Sequence, residues 1–179
     1  VVKANFESNA VVKKEQASLI AAYCNENDLW LQNIPQEDHF LTRGGEARVY
    51  IDQDSRHVIK LNDAVYYATW LEFFNSILLH NLIFTNTAYE LIGFIKDNDV
   101  LHATLRQPFV VATAQANLDD VKEFLSFNEF TNTRRNDYAN TALGLILEDM
   151  HDENVLVNSE VLFFIDSVFY TIAPEKGSG

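Results

Sequence analysis

The stretch Leu145-Ile146-Leu147-Glu148-Asp149-Met150-His151-Asp152-Glu153-Asn154-Val155-Leu156-Val157-Asn158-Ser159-Glu160-Val161-Leu162-Phe163-Phe164-Ile165-Asp166 decides how this chain is read. Three apolar runs, 145–147, 155–157 and 161–165, are separated by a polar loop, 148–154, and by the turn Asn158-Ser159-Glu160. Short β-branched and aromatic runs bounded by turn residues predict strands of one tight hairpin. Asp149 and Asn154 then stand five apart across the loop, and Asp166 emerges beside them at a strand end. Two carboxylates and one carboxamide around a small volume form an all-oxygen donor set. Such a set suits Mg²⁺, which takes one or two carboxylates together with water and substrate phosphates. The bland alternative is a surface hairpin with an acidic loop.

A second informative stretch lies about a hundred residues upstream. Thr42-Arg43-Gly44-Gly45-Glu46-Ala47-Arg48-Val49-Tyr50-Ile51 precedes a polar turn, 52–56, and then His57-Val58-Ile59-Lys60-Leu61. This predicts strand, glycine bend, strand, turn and strand, with Lys60 inside an apolar strand. A buried ammonium needs pairing or water, so a lysine there calls for a chemical reason.

Composition narrows the classes. The chain has 179 residues, enough for one domain or two small lobes with a real core. Hydrophobic content of 47%, with 13 Phe, 7 Tyr and 2 Trp, indicates a globular chain. A formal charge of -13 argues against nucleic acid and against an anionic membrane surface as partners. The single cysteine, Cys24, cannot form an internal disulfide and fits a reducing, cytoplasmic setting. Neither a membrane-spanning run nor a signal-peptide pattern is visible. The five histidines, His39, His57, His80, His102 and His151, show no metal-ligand spacing and read as structural groups.

Along the chain, Ala17, Leu19, Ile20, Ala22 and Tyr23 predict a packing helix over about 11–27, within an N-terminal extension of 1–37. After Lys60, Asn62 or Asp63 is the expected cap of an amphipathic helix carrying Tyr67, Trp70, Leu71, Phe74, Ile77 and Leu78. Residues 89–95 and 100–106 predict two more strands, and Gln107-Pro108-Phe109 breaks the second, since proline lacks a ladder N–H. Asn117 is the expected cap of a short helix with Val121, Phe124 and Leu125 on its apolar face. The polar segment 127–140 reads as a solvated excursion or a substrate-facing loop. The closing Gly177-Ser178-Gly179 reads as an appended tail, within a segment 173–179 outside the fold.

The ordered set of glycine hairpin, Lys60, Asp149, Asn154 and Asp166 resembles the protein-kinase-like superfamily. More narrowly, the chain resembles the small serine/threonine/tyrosine-kinase-like domains of polyvalent proteins from phages and bacterial mobile elements. Gly44-Gly45-Glu46-Ala47-Arg48-Val49-Tyr50, Leu79-His80-Asn81-Leu82-Ile83-Phe84, Tyr89-Glu90-Leu91-Ile92-Gly93-Phe94, Gln107-Pro108-Phe109-Val110 and the Asp149 loop carry that resemblance. It spans about residues 38 to 170.

The resemblance implies an α+β fold. A five-stranded antiparallel sheet with one helix forms a small lobe over 38–111, and a reduced second lobe with a catalytic hairpin covers 112–172. It also implies a phosphotransferase using ATP and Mg²⁺ on a protein or small-molecule hydroxyl, within a larger polypeptide. Asp149 would orient the acceptor hydroxyl, and Asn154 and Asp166 would hold the metal. Lys60 would contact the phosphates, oriented by Glu72. Gly44, Gly45, Glu46, Ala47 and Val49 would line the nucleotide, and Gln107 and Phe109 would mark the hinge beside the base. Aligned on Val49, the glycine pattern keeps only its middle member, Gly44, and Gly45 is additional. The helices that complete a large kinase lobe are absent. Ala173-Pro174-Glu175 matches a kinase triplet by coincidence, because too few residues separate it from Asp166. A pseudokinase, binding nucleotide or a partner without catalysis, is therefore the alternative.

Overall fold

A computed structural model describes residues 2–33, 35–45 and 47–172, with side chains from residue 9 onward. The chain divides into two compact units. One comprises residues 1–74 and 88–109, the other 75–87 and 110–179. The Ala173-Pro174-Glu175 triplet and Glu46 lie outside the described residues.

The first unit holds helix α1 (Val2–Glu26) and strands β1 (Phe40–Arg43), β2 (Ala47–Ile51), β3 (His57–Asn62), β4 (Glu90–Asp97) and β5 (Val100–Pro108). They form one five-stranded antiparallel sheet, as expected, and the structure gives its order as β1-β2-β3-β5-β4. Tyr50, Ile59, Leu61 and Ile95 make its core, with Leu31 and Ile92 packed on them. Strands β2 and β4 are buried only over part of their length, at Val49-Tyr50 and at Gly93-Phe94-Ile95, whereas β3 is buried almost throughout.

Strand β5 runs through Pro108, which pairs with His57. The strand ends there, within the expected Gln107-Pro108-Phe109 break and two residues past Arg106. The Phe109 N–H donates to the Arg56 carbonyl on the β3 side, so Pro108 presents its nitrogen to the opposite side. There β4 has already ended, at Glu90 opposite Arg106, and the missing N–H costs no ladder bond.

Helix α1 begins well before the predicted Val11 and ends where expected, near Glu26. Asp28 leaves it in the left-handed region, with φ of 54°. Lys13 Nζ donates to the carbonyls of Ala64 (2.5 Å) and Tyr67 (2.9 Å), and Gln16 Oε1 accepts from the Trp70 N–H at 2.8 Å. Burial lowers the Lys13 pKa, while Asp63 and Glu72 oppose that shift. After the helix, the segment 29–31 covers the edge of β4: Leu31 N donates to Phe94 O at 2.8 Å and Phe94 N to Leu29 O at 2.9 Å. Covering an edge strand removes a site of unwanted pairing. The close approach requires Gly93, whose φ is +149° and where a Cβ would lie 2.7 Å from the Leu29 carbonyl oxygen.

Helix α2 spans Trp70–Ile83 and starts later than its apolar pattern suggests. Neither Asn62 nor Asp63 caps it. Their side chains instead close short turns, Asn62 Oδ1 accepting from Ala64 N and Asp63 Oδ1 from Val65 N. The cap is Thr69, whose Oγ1 accepts from the Glu72 N–H at 3.1 Å. Tyr67 lies before the helix, in an aromatic cluster with Phe73.

The second unit adds β6 (Ala114–Gln115), α3 (Leu118–Phe127), β7 (Thr131–Arg134), β8 (Asp137–Asn140), β9 (Leu145–Glu148), β10 (Val155–Asn158), β11 (Val161–Phe164) and β12 (Val168–Thr171). Asn117 caps α3 as expected, accepting from the Asp119 N–H at 2.9 Å. The three-strand hairpin is corrected. β10 and β11 do form a hairpin, with β6 beside β10, but β9 pairs with β8 and β12 in a separate sheet, β12-β9-β8-β7. Segment 127–140 is also not a plain excursion, because β7 and β8 pair within it. The polar, exposed β7 offered no apolar alternation to read. Both sheets bury side chains in one core that includes Phe84, Val121, Leu125, Tyr138, Leu147, Met150, Val155, Phe164 and Phe169. No helix among the described residues is long and apolar enough to cross a membrane.

Candidate active site

In the second unit, the loop between β9 and β10 is a closed hydrogen-bonded structure. Asp149 takes φ of 67°, a left-handed conformation that aspartate tolerates better than most residues. Its N–H faces Asp137 Oδ1 at 3.3 Å, and the Met150 N–H donates to the Asn136 carbonyl at 3.0 Å. The Met150 side chain is fully buried in the core. The turn then closes through His151 N to Asp149 O (2.9 Å) and Asn154 N to His151 O (3.0 Å). Val155, again fully buried, starts β10. Two buried apolar anchors therefore hold the ends of a loop whose middle is acidic and wet. Gln115 Nε2 donates to Asp152 Oδ2 at 2.5 Å and ties the middle to β6.

This geometry joins two of the predicted residues, Asp149 and Asn154. Asn154 Nδ2 donates to the Asp149 main-chain oxygen at 2.9 Å and to its Oδ2 at 3.1 Å. The Ile165 N–H donates to the Asn154 carbonyl at 2.9 Å, so Asp166 follows directly on a residue paired with Asn154. With its amide nitrogen spent on Asp149, Asn154 keeps its Oδ1 as a neutral oxygen ligand. Asp149 is 59% exposed at its side chain. His151 Nε2 stands 3.4 Å from Asp149 Oδ1, a loose contact, while its Nδ1 accepts from the Glu153 N–H at 3.2 Å. Glu148 reports the local field. Burial raises its carboxyl pKa, and the charges of Asp137 and Asp149 raise it further. An oxygen-rich, electronegative loop fits a hard cation such as Mg²⁺.

In the first unit, Lys60 lies at the centre of the sheet, paired with Val49 on one side and Leu105 on the other. It is only 4% exposed, and its ammonium sits 5.4 Å from the centroid of the Tyr89 ring. Charge over an aromatic face offsets part of the cost of burial. The glycine bend follows the Thr42–Val49 and Arg43–Arg48 pairs. The Gly44 N–H closes that bend on the Ala47 carbonyl at 3.0 Å. Gly45 lies under Tyr66, where a Cβ would meet the phenol oxygen at 3.0 Å.

Glu72 sits in the first turn of α2, and its Oε2 accepts from the Ala68 N–H at 3.0 Å. Thr69 Oγ1 in turn accepts from the Glu72 N–H, so the two side chains together satisfy main-chain N–H groups at and just before the helix start. Gln107 is buried opposite Val58 in β3. The Phe109 N–H is taken by Arg56 O at 2.8 Å, which removes one of the main-chain groups expected to face a base.

Another cluster in this unit was not legible in the sequence. Asp52, Asp54 and His57 bring ligand-type atoms within 4.8 Å of one another. The countercharge is already present: Arg106 bonds Asp52 and Asp54, each at 2.7 Å. Asp54 is held down to about 2, first by the Arg56 N–H, then by His57 and the Arg106 charge. The cluster reads as an ion-pair network on the β2–β3 turn.

A five-stranded antiparallel sheet with a helix between its third and fourth strands, and an Asp-x-x-x-x-Asn loop with a following hairpin and aspartate, define a mixed α+β domain of kinase-like type. Over residues 13–173 the sequence matches the family described as serine/threonine/tyrosine kinase found in polyvalent proteins, and the chain belongs to that family. No curated protein matches it.

Proposed function

We propose that this domain is a phosphotransferase that moves the γ-phosphoryl group of ATP to a hydroxyl of a protein or small-molecule acceptor. The observation that carries the reading is the Asn154 carboxamide bonded to Asp149, with Asp166 following the residue bonded to Asn154. Phosphoryl transfer needs positioning and charge neutralisation more than covalent chemistry from the protein. Asp149 orients the acceptor hydroxyl and takes its proton. Asn154 Oδ1 and the Asp166 carboxylate hold the metal. Lys60 contacts the phosphates, with Gly45, Ala47 and Val49 covering them and Gln107 and Phe109 near the base. Bound Mg²⁺ supplies neutralisation of phosphate charge.

Two observations favour a second reading, a pseudokinase module within a larger polypeptide. The Gly44 N–H is committed to its own turn, and the Glu72 carboxylate is engaged at the start of its own helix. Ligand binding raises stability by RT ln(1 + [L]/Kd), so thermal unfolding with ATP, with and without Mg²⁺, separates the outcomes. Phosphoryl transfer from radiolabelled ATP together with a Mg²⁺-dependent rise in Tm supports the enzyme. A Mg²⁺-dependent rise without transfer to any of a panel of acceptors supports the pseudokinase, and no rise at all refutes nucleotide binding.

A further inference from the structure

We infer that His80 is a positioning residue that, through Ser167, sets the placement of Asp166. The inference rests on the metal-holding role proposed for Asp166. Residues 165–167 lie between the end of β11 and the start of β12, which belong to different sheets, so no strand ladder spans them. On the side before Asp166, the Ile165 N–H is tied to the Asn154 carbonyl. The remaining hold on the segment comes from α2 and the turn after it.

Three buried side chains there reach the segment on both sides of Asp166. Thr87 Oγ1 donates to the Phe164 carbonyl at 2.5 Å. His80 Nδ1 lies 2.5 Å from Ser167 Oγ, and Ser76 Oγ accepts from the Phe169 N–H at 2.9 Å. His80 Nε2 is 3.0 Å from the Thr87 carbonyl. A carbonyl only accepts, so Nε2 carries a proton; when the ring holds that one proton alone, Nδ1 accepts from the Ser167 hydroxyl. Ser76, His80 and Thr87 are all fully buried. Phe84 reinforces the clamp by stacking on Phe164 at 4.3 Å and packing against Phe169 at 5.9 Å. A purely apolar core could pack these rings equally well. The polar bonds add directionality: they determine which way the chain turns between Phe164 and Phe169.

The test compares His80→Phe, His80→Asn and Ser167→Ala with the unaltered protein. ATP binding is measured by calorimetry with and without Mn²⁺, and amide hydrogen exchange is followed across residues 164–169. For His80→Phe and Ser167→Ala, metal-free ATP affinity should stay within about twofold, while the apparent Kd for Mn²⁺ rises at least about tenfold. Exchange should quicken at residues 165–169 and not across β9 or β10. His80→Asn, which keeps an acceptor near the Nδ1 position, should restore much of both. Unchanged metal dependence and unchanged exchange in folded His80→Phe or Ser167→Ala protein overturns the inference, as does an equal loss of metal-free and metal-dependent binding. If the unaltered protein shows no Mn²⁺-dependent ATP binding, the proposed function fails. The clamp is then judged by exchange alone: local quickening supports it and its absence refutes it. Should His80→Phe fail to fold, Ser167→Ala removes a single hydroxyl and decides the same question.

Discussion

Alanine is the usual replacement for a suspected catalytic aspartate, and at Asp149 it should do two separable kinds of damage. The residue has φ of 67°, where an alanine Cβ is strained and asparagine or aspartate is tolerated. That backbone cost is about 1 kcal/mol. Its Oδ2 also accepts from Asn154 Nδ2 at 3.1 Å, a partly exposed bond whose loss costs about 0.5–1.5 kcal/mol. Asp149→Ala should therefore lose about 1.5–2.5 kcal/mol of stability, the sum of the two effects. Asp149→Asn keeps the tolerated conformation and an acceptor oxygen, so it should remain within about 0.5 kcal/mol of the original protein. It also removes one of the charges that raise the Glu148 pKa. Both variants should abolish phosphoryl transfer, because neither holds a carboxylate to take the acceptor proton. Urea unfolding monitored by fluorescence gives the stabilities, and radiolabelled ATP gives the transfer. Equal stability of the two variants would refute the account of the loop. Transfer retained by Asp149→Asn would refute the assigned role.

Further consequences concern the sheet and the charge of the loop. Gly93→Ala forces a Cβ against the Leu29 carbonyl at a left-side φ, and should cost about 2–4 kcal/mol by loosening 29–31 from β4. Gly144→Ala, at φ +65° with open space around it, should cost only about 1–2 kcal/mol. Denaturant midpoints that rank the pair the other way would sink this reading of the covered edge. Glu148 has a folded-state pKa above the ordinary 4.5, so its ionised form is disfavoured on folding. Its contribution is thus a penalty that appears as pH rises through the raised value and vanishes below about 4.5. Glu148→Gln should be the more stable protein near pH 7 and should match the original near pH 4. A variant less stable at neutral pH would show that the carboxylate is held by a favourable contact instead.

The sequence carried the sheet of the first unit because each of its strands pairs with a neighbour already marked by local chemistry. The apolar run Val49-Tyr50-Ile51 in β2, a charged turn before His57, and Asp97-Asn98-Asp99 between β4 and β5 fix strands and reversals within a few residues. The proximity of Asp149 and Asn154 was equally legible, since five positions of one loop separate them. What the sequence misplaced depends on distant partners. Whether 145–148 pairs with 155–158 or with 168–171 is a choice between sheets that look the same from local propensity, and packing around Leu147, Met150 and Phe169 made it. Helix α2 starts at Trp70 because Thr69 and Gln16 satisfy its first N–H groups, and Gln16 lies 54 residues away.

Sequence alone thus determined the strand-forming segments of the first unit, the order of the motifs and the chemical character of the donor loop, since all three are properties of neighbouring residues. Only the tertiary structure decided which side chains support that loop. Met150 dips into the core, Asp149 bends left-handed, and His80 reaches Ser167 across 87 positions of chain. The physical reason is burial. A hydrogen bond between two residues remote in sequence becomes worth keeping once a shared core has excluded water from both, and no local pattern records which cores will form.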